Sequence, residues 1–249
     1  MTEFTEANRK YFDDMAKVYK DRFADAMKTL CDETLKHRLW LSDRWTDTEA
    51  GKDGAVKMLE YACGPGIISM TLAPFLSKVI GIDVADNMVD EFNLNAKNIG
   101  VSDKMVGYKA DLLGDSASAE FSGSEFTNFD MVTVSMALHH FEYPQVALQR
   151  LADRLKKGGT CMIIDLVPSG HVHGHENGHD HGHGHDHEFG PAAHTVKTHG
   201  FSREDMQKLF EGAGLSEGFG YEVLPEPLVM VMDDKTHRKV VFIARARLP

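Results

Sequence analysis

Apolar side chains recur at helical spacing where the chain opens. Phe4, Tyr11, Phe12, Met15, Val18, Tyr19, Phe23, Met27 and Leu30 predict an amphipathic helix over residues 4–30, with one break allowed, and a second helical stretch carries Leu35, Leu39 and Trp40. The polar, Gly-containing run TDTEAGKDG, residues 46–54, separates this helical preface from the rest of the chain. From Ala55 the period changes. VKMLE, KVIGID, MVGYKA, FDMVTVS and GTCMIIDL read as five short buried strands. Helical segments fall between them: after Gly66, after Asn87, and from Pro144 to Lys157, with Gly158 just past the end of the last. Strands alternating with helices predict parallel β-α-β units with right-handed crossovers and helices on both faces of the sheet. Ser202, with Asp205 three residues on, caps a further helix that ends near Gly212 to Gly214. The tail holds two β-like runs, YEVLPEPLVMVM and KVVFIARARL, joined by Asp233-Asp234-Lys235, a link so short that they pair antiparallel.

The chemistry concentrates at the strand ends. In VKMLEYACGPGIISM a buried strand ends at Glu60, and Ala62, Cys63, Gly64, Pro65 and Gly66 turn tightly into a helix, which lets backbone amides approach a ligand closely. Asp83, closing the next strand, is placed to accept both ribose hydroxyls of a nucleoside. A GxG pair alone also suits an ordinary strand-to-helix turn, and the position of the third Gly of a dinucleotide fingerprint is Ser69, so the pattern fits a nucleoside cofactor without a pyrophosphate.

With those residues in place, the sequence resembles the class I S-adenosylmethionine-dependent methyltransferases, most closely the small-molecule branch of the ubiquinone and menaquinone biosynthesis enzymes. LEYACGPG resembles the first motif of that family, with Ala62 where Gly is commoner, and GIDVADNMV resembles the second, with Val84 and Met88 in it. KADLLG supplies Asp111, directed in the family at the adenine amino group, and Leu112, which offers a backbone amide beside it. FDMVTVSMALHHF, with Ser135, resembles the fourth-strand motif, and LQRLADRLKKGGTCMIIDL the helix, turn and strand after it. Asn8 followed by FDDMAKVYKD resembles the lid helix, whose Tyr, here Tyr19, covers the cofactor. The likeness implies a Rossmann-like α/β fold with a seven-stranded, mostly parallel sheet and an antiparallel last strand. It also implies a helical lid over residues 1–45 and a methyltransferase domain over 55–249. The cofactor is S-adenosylmethionine, leaving as S-adenosylhomocysteine, and its contacts are Tyr19, Glu60, Ala62, Gly64, Gly66, Asp83, Val84, Met88, Asp111, Leu112 and Ser135. The sulfonium cation suits an acidic pocket rimmed by aromatic faces such as Tyr19.

Methyl transfer is an in-line displacement in which positioning supplies most of the rate, and a base is needed only where the acceptor must lose a proton. His139 and His140 directly follow the fourth strand, where the methyl group points; His140 is the candidate base, although an LHHF run also serves packing in the family. With 27 Lys and Arg against 38 Asp and Glu and no Asn-Pro-Pro-Tyr run, nucleic acid is disfavoured as acceptor and a small-molecule nucleophile favoured. The alternatives are a protein methyltransferase, a methyltransferase-like subunit of a regulatory complex, and a metal-buffering protein on this fold.

Of 14 His, eight fall between His171 and His187, inside a Gly- and Asp-interleaved insertion over residues 168–200. The segment reads as flexible, its zinc binding either adventitious or a gate on the acceptor pocket, and its metal ligands are undetermined. His194 and His199, at its edge, either line the acceptor site or pack beside it. Three scattered cysteines, a start without an apolar leader core and no membrane-length apolar run predict a soluble intracellular protein, cytoplasmic with the nucleus left open.

Overall fold

The structure, a computed structural model, describes residues 1–114, 119–168, 190–232 and 235–249. Most of the His-rich stretch, including His171 to His187, lies outside the described residues.

Seven strands form the main sheet: β1 (Lys57–Tyr61), β2 (Lys78–Asp83), β3 (Met105–Lys109), β4 (Phe129–Ser135), β5 (Leu155–Leu166), β6 (Glu217–Val223) and β9 (Val241–Arg247). Their order is β3-β2-β1-β4-β5-β9-β6, six of them parallel and β9 antiparallel to both of its neighbours. The central strands are buried on both faces, which explains their nearly continuous apolar runs. After the opening helix α1 (Glu3–Leu41), helices α2 (Ile67–Leu72), α3 (Asp86–Asn98), α4 (Pro144–Ala152) and α5 (Arg203–Gly212) make the connections. Ser202 and Asp205 form the expected reciprocal cap on α5.

Three sequence readings change. The helix from Pro144 stops at Ala152, and Leu155 to Lys157 already belong to β5. Gly158 (φ +72°) therefore sits where β5 slips register against β4, its amide donating to the Leu248 carbonyl, and not at a helix end. The two tail runs do pair antiparallel, but only the first divides. Its outer part belongs to β6, which enters the main sheet beside β9, the second run, while its inner part, β7 (Leu228–Met232), forms a separate hairpin with β8 (Lys235–Lys239), a strand that leads into the second run and that the sequence pattern does not announce. Pro225 and Pro227, which lack the ladder's N–H donor, mark the division in the first run.

The two predicted opening helices are the single element α1, continuous between Leu30 and Leu35 and bent at Phe23 (φ −116°, ψ 18°), within the stretch whose pattern allows one break. The bend separates two tasks. Before it, Met15 and Ala16 pack on Ala85 and Met88 at the carboxyl ends of the strands, where Asn87 N–H also donates to Asp13 (2.8 Å). After it, Ala26, Leu30 and Leu41 join the core on one face of the sheet, and Trp40 lies so close to β6 that a Cβ on Gly220 would come within 2.4 Å of its ring. The polar run after α1 is folded onto the core. Trp45 is fully buried, its indole N–H bonded to the carbonyls of Ser42 (2.7 Å) and Arg38 (3.0 Å).

Strand order reverses between β1 and β4. Chain crossovers diverge there, leaving a crevice at the carboxyl ends of the strands.

Candidate active site

That crevice opens into a cavity of about 560 Å³ roofed by the first half of α1. Its floor comes from the last residues of successive strands and the turns after them: Tyr61, Ala62 and Gly64 at β1, Asp83 and Val84 at β2, Asp111 after β3, and Ser135, Met136 and Ala137 at β4. The turns after β1 and β4, the two strands flanking the crevice, each hold a non-glycine residue in the left-handed region, Ala62 (φ 52°) and Met136 (φ 53°). Each costs roughly 1–2 kcal/mol, a strain that concentrates where backbone must face a ligand.

Two glycines in the first turn do different work. A Cβ on Gly66 (φ +81°) would lie 2.6 Å from the Phe92 ring, so this residue is small because α3 packs against it. A Cβ on Gly64 (φ +50°) would meet only the Met88 sulfur, at 3.9 Å, so the space before it belongs to the cavity. Asp83 ties this turn to β2: one carboxylate oxygen accepts from Gly64 N–H (2.8 Å), the other from Ala85 N–H (2.9 Å). Burial pushes its carboxyl above the ordinary Asp range, against the pull of the amides of Ala85, Gly64 and Val84.

Of the residues expected at the site, Tyr19, Ala62, Gly64, Asp83, Val84, Met88, Asp111, Ser135 and His140 line the cavity together. Three lie behind it. Glu60 is 2% exposed, and one of its oxygens accepts from both the amide (3.0 Å) and the hydroxyl (2.5 Å) of Ser69, anchoring α2 to the end of β1. Burial raises its carboxyl to about 7. Gly66 packs on Phe92, and the Leu112 side chain is buried in the core while Leu113 and Gly114 reach the cavity. Asp111 accepts from the amides of Leu113 (3.0 Å) and Gly114 (3.2 Å), so it holds its own turn as well as facing the cavity.

The adjacent histidines separate clearly. His139 donates from Nδ1 to Asp165 (2.7 Å), while its carbonyl accepts from Lys197 and Thr198, clamping the segment after residue 190 to the end of β4. His140 lines the main cavity, and its Nδ1 lies 2.8 Å from the Thr195 carbonyl. A carbonyl only accepts, so Nδ1 carries the proton and Nε2 the lone pair. Burial, with His139 beside it, holds the His140 imidazole well below its ordinary value, so the ring is neutral. His194 is exposed and packs edge-on against Tyr11, His199 is exposed, and neither lines the described cavities.

Sequence reasoning missed Asn8, Phe12, Tyr61, Asp165 and Thr195. Phe12 makes an edge contact with His140, and the Tyr61 hydroxyl donates to Asp111 (3.4 Å). Asn8 is 7% exposed and donates to the Phe4 carbonyl, leaving its side-chain oxygen buried in the cavity wall without a partner among the described residues. Spacing on α1 puts Asn8 and Phe12 on one face, a signal that was present; nothing in the sequence joins His140 to Thr195.

Comparison with known proteins bears on this geometry. The family described as "Methyltransferase domain" matches residues 14–216. The chain belongs to the class I S-adenosylmethionine-dependent methyltransferases. Among curated relatives, an uncharacterised methyltransferase of Schizosaccharomyces pombe is 32% identical over 169 residues, covering 66% of this chain and 55% of that protein. The ubiquinone biosynthesis O-methyltransferase of Shewanella pealeana is 29% identical over 115 residues, covering 46% of this chain and 45% of its own. The chain thus spans about half the length of the curated relatives it matches. In fold it is similar to a SAM-dependent methyltransferase from Anabaena variabilis, at a TM-score of 0.64 and 16% identity, over 100% of this chain and 96% of that one.

The charge of the cavity suits the cofactor of that family. Asp83, Asp111 and Glu142 face it, against two cations among the described lining residues, Arg150 and the Met1 ammonium, the latter 3.7 Å from Asp111. This set fits a sulfonium and offers little to a pyrophosphate. Among the described residues, no group of three or more His, Cys, Asp or Glu is arranged to hold a metal ion, and no helix is long and apolar enough to cross a membrane.

Proposed function

We propose that the protein transfers a methyl group from S-adenosylmethionine to a small-molecule nucleophile, with His140 as general base. The observation that carries this reading is the meeting, in one cavity, of the Asp83 carboxylate, the open front of Gly64 and a neutral imidazole of fixed tautomer. Resemblance to the ubiquinone O-methyltransferase supports the small-molecule acceptor class. Asp83, already holding the turn amides, has lone pairs left for the ribose hydroxyls. Gly64, Val84 and Met88 shape the slot between turn and helix, and Asp111 with Ser135 bounds the end for the base. Tyr19 and Phe12, from α1, close over the cofactor and exclude water, which strengthens every electrostatic contact inside. Glu60, Gly66 and Leu112 support these contacts from behind. When bound, the cofactor supplies an electrophilic methyl group on a positively charged sulfur. His140 then needs only to take the proton of the attacking atom, and the Thr195 carbonyl fixes the ring so that Nε2 does so.

The test is transfer itself. Protein incubated with methyl-labelled S-adenosylmethionine and a deproteinised cell extract should pass label to small molecules; label appearing instead only in protein bands when whole extract is supplied would refute the acceptor class.

A further inference from the structure

The turn that carries Gly64 is held from two sides. Asp83, at the end of β2, accepts from the Gly64 amide (2.8 Å), and Asn95 of α3, 2% exposed, donates from Nδ2 to the Pro65 carbonyl (2.8 Å). The Oδ1 of the same Asn95 accepts from the Lys20 ammonium of α1. A carbonyl only accepts and an ammonium only donates, so this buried amide has one orientation and joins two elements. We propose that Lys20 and Asn95 are positioning residues for the cofactor, a relay through which the docking of α1 sets the Pro65 carbonyl and with it the backbone of the Gly64 turn. The inference rests on the methyltransferase reading and adds to it two residues that act without touching the ligand.

Placement supports it first. Lys20 directly follows Tyr19, which lines the cavity, and Pro65 stands between Gly64, whose front is open to the cavity, and Gly66, which packs on Phe92. Lys20, Asn95 and Pro65 line neither described cavity, so an effect of theirs on a ligand has to pass through those neighbours. The docking of α1 points the same way. Asp13, seven residues before Lys20, accepts from the amide of Asn87, eight residues before Asn95, and so supplies the cap that Ala85 does not give α3. Met15 and Ala16, between the two contacts on α1, pack on Ala85 and Met88. Before its bend α1 is therefore registered on α3 at two points about two turns apart, and the second reaches the cofactor turn.

The energetics follow from burial. A charge-assisted hydrogen bond to an amide polarises it, so Lys20 strengthens the bond that Asn95 makes to Pro65, and more so out of water. Removing the Asn95 donor takes that bond from the carbonyl of a buried residue, which favours turn conformations in which the carbonyl finds another partner. By linkage the coupling is reciprocal: α1 docked on α3 favours the ligand-ready turn, and a ligand on the turn favours docked α1.

Two substitutions cut the relay at opposite ends. Asn95→Asp keeps an acceptor for Lys20 but has no N–H for Pro65, and Lys20→Met keeps Asn95 on Pro65 but releases α1. Titrated calorimetrically with S-adenosylhomocysteine, the full chain should bind about tenfold more weakly with Asn95→Asp and about threefold more weakly with Lys20→Met. The double variant should match Asn95→Asp alone, because a relay is cut only once. Lys20→Arg still donates and should bind as the unmodified protein does; so should Lys17→Met, which removes the same charge from an exposed position on α1. Amide hydrogen exchange adds a readout that packing alone would not move: S-adenosylhomocysteine should slow exchange over residues 5–22 in the unmodified protein and do so less in Lys20→Met. The relay is overturned if Lys20→Met binds S-adenosylhomocysteine as the unmodified protein does, if Lys17→Met weakens binding equally, or if the two relay substitutions weaken it multiplicatively. Lys20 is partly exposed, so Lys20→Met decides the matter even where Asn95→Asp fails to fold. Failure of the unmodified protein to bind S-adenosylhomocysteine would instead remove the methyltransferase reading, and the same titration tells the two failures apart.

Discussion

The two walls of the active site are made differently. On the floor, four neighbouring parallel strands end together and the turns after them supply the contacts, largely through backbone amides and short side chains such as Gly64 and Asp83. On the roof, the contacts come from side chains far apart in sequence: Asn8, Phe12 and Tyr19 on a bent helix, and His140 with Thr195 behind it. A floor built on backbone is fixed once the sheet forms, which in the proposed function suits it to the cofactor, common to every turnover. A roof of packed side chains can change shape by substitution without disturbing the sheet, which in the same proposal suits it to acceptor choice.

The sharpest way to break this comparison lies at the junction. His140→Gln should lower kcat by on the order of 10²- to 10⁴-fold while leaving cofactor affinity nearly unchanged. A loss confined to cofactor affinity would make His140 a packing group. The pH profile adds a second readout. Because His140 is held well below its ordinary 6.5, its basic form persists in mildly acidic solution, and the acid limb of kcat should fall below that value. The same shift makes the unfolded chain bind the proton more readily, so this group's share of stability should decline as pH falls from 6.5 toward the folded value.

Next in size is a contrast within the floor. Gly66→Ala forces a Cβ against Phe92 in a left-handed conformation and should cost about 2–5 kcal/mol of stability in urea denaturation. Gly64→Ala, two residues away, meets open cavity and should instead act mainly on cofactor affinity, with about 1 kcal/mol lost in stability. Equal losses of stability at the two positions would contradict the division of labour between them.

Smallest is Ala62→Gly. Removing the Cβ at φ 52° relieves left-handed strain and should raise stability by about 0.5–1 kcal/mol, a net reduced by the greater freedom of Gly in the unfolded chain. Thermal melting of the two proteins measures it directly.

The same contrast governs how much of the molecule is legible in its sequence. The floor is readable because its chemistry lies within a few residues of each strand end: a small-residue turn after Glu60, a carboxylate at Asp83, an acid at Asp111. The helix from Pro144 reads too long because Leu155 fits an apolar face of either period, and only pairing with Phe129 shows it to be strand. In the tail the antiparallel pairing is legible, but its division into two sheets depends on which edge β9 finds. The roof is only half visible. Tyr19 is expected from resemblance and His140 from its place after the fourth strand, yet the Thr195 carbonyl that fixes the His140 tautomer is 55 residues away.

The central claim, that the floor is a nucleoside-cofactor site organised by Asp83, is tested most directly by calorimetry with S-adenosylhomocysteine. The protein should bind it at one site, and Asp83→Ala should weaken binding by about 1–3 kcal/mol while the protein remains folded. No binding by the folded protein, or equal binding by the variant, would contradict that claim.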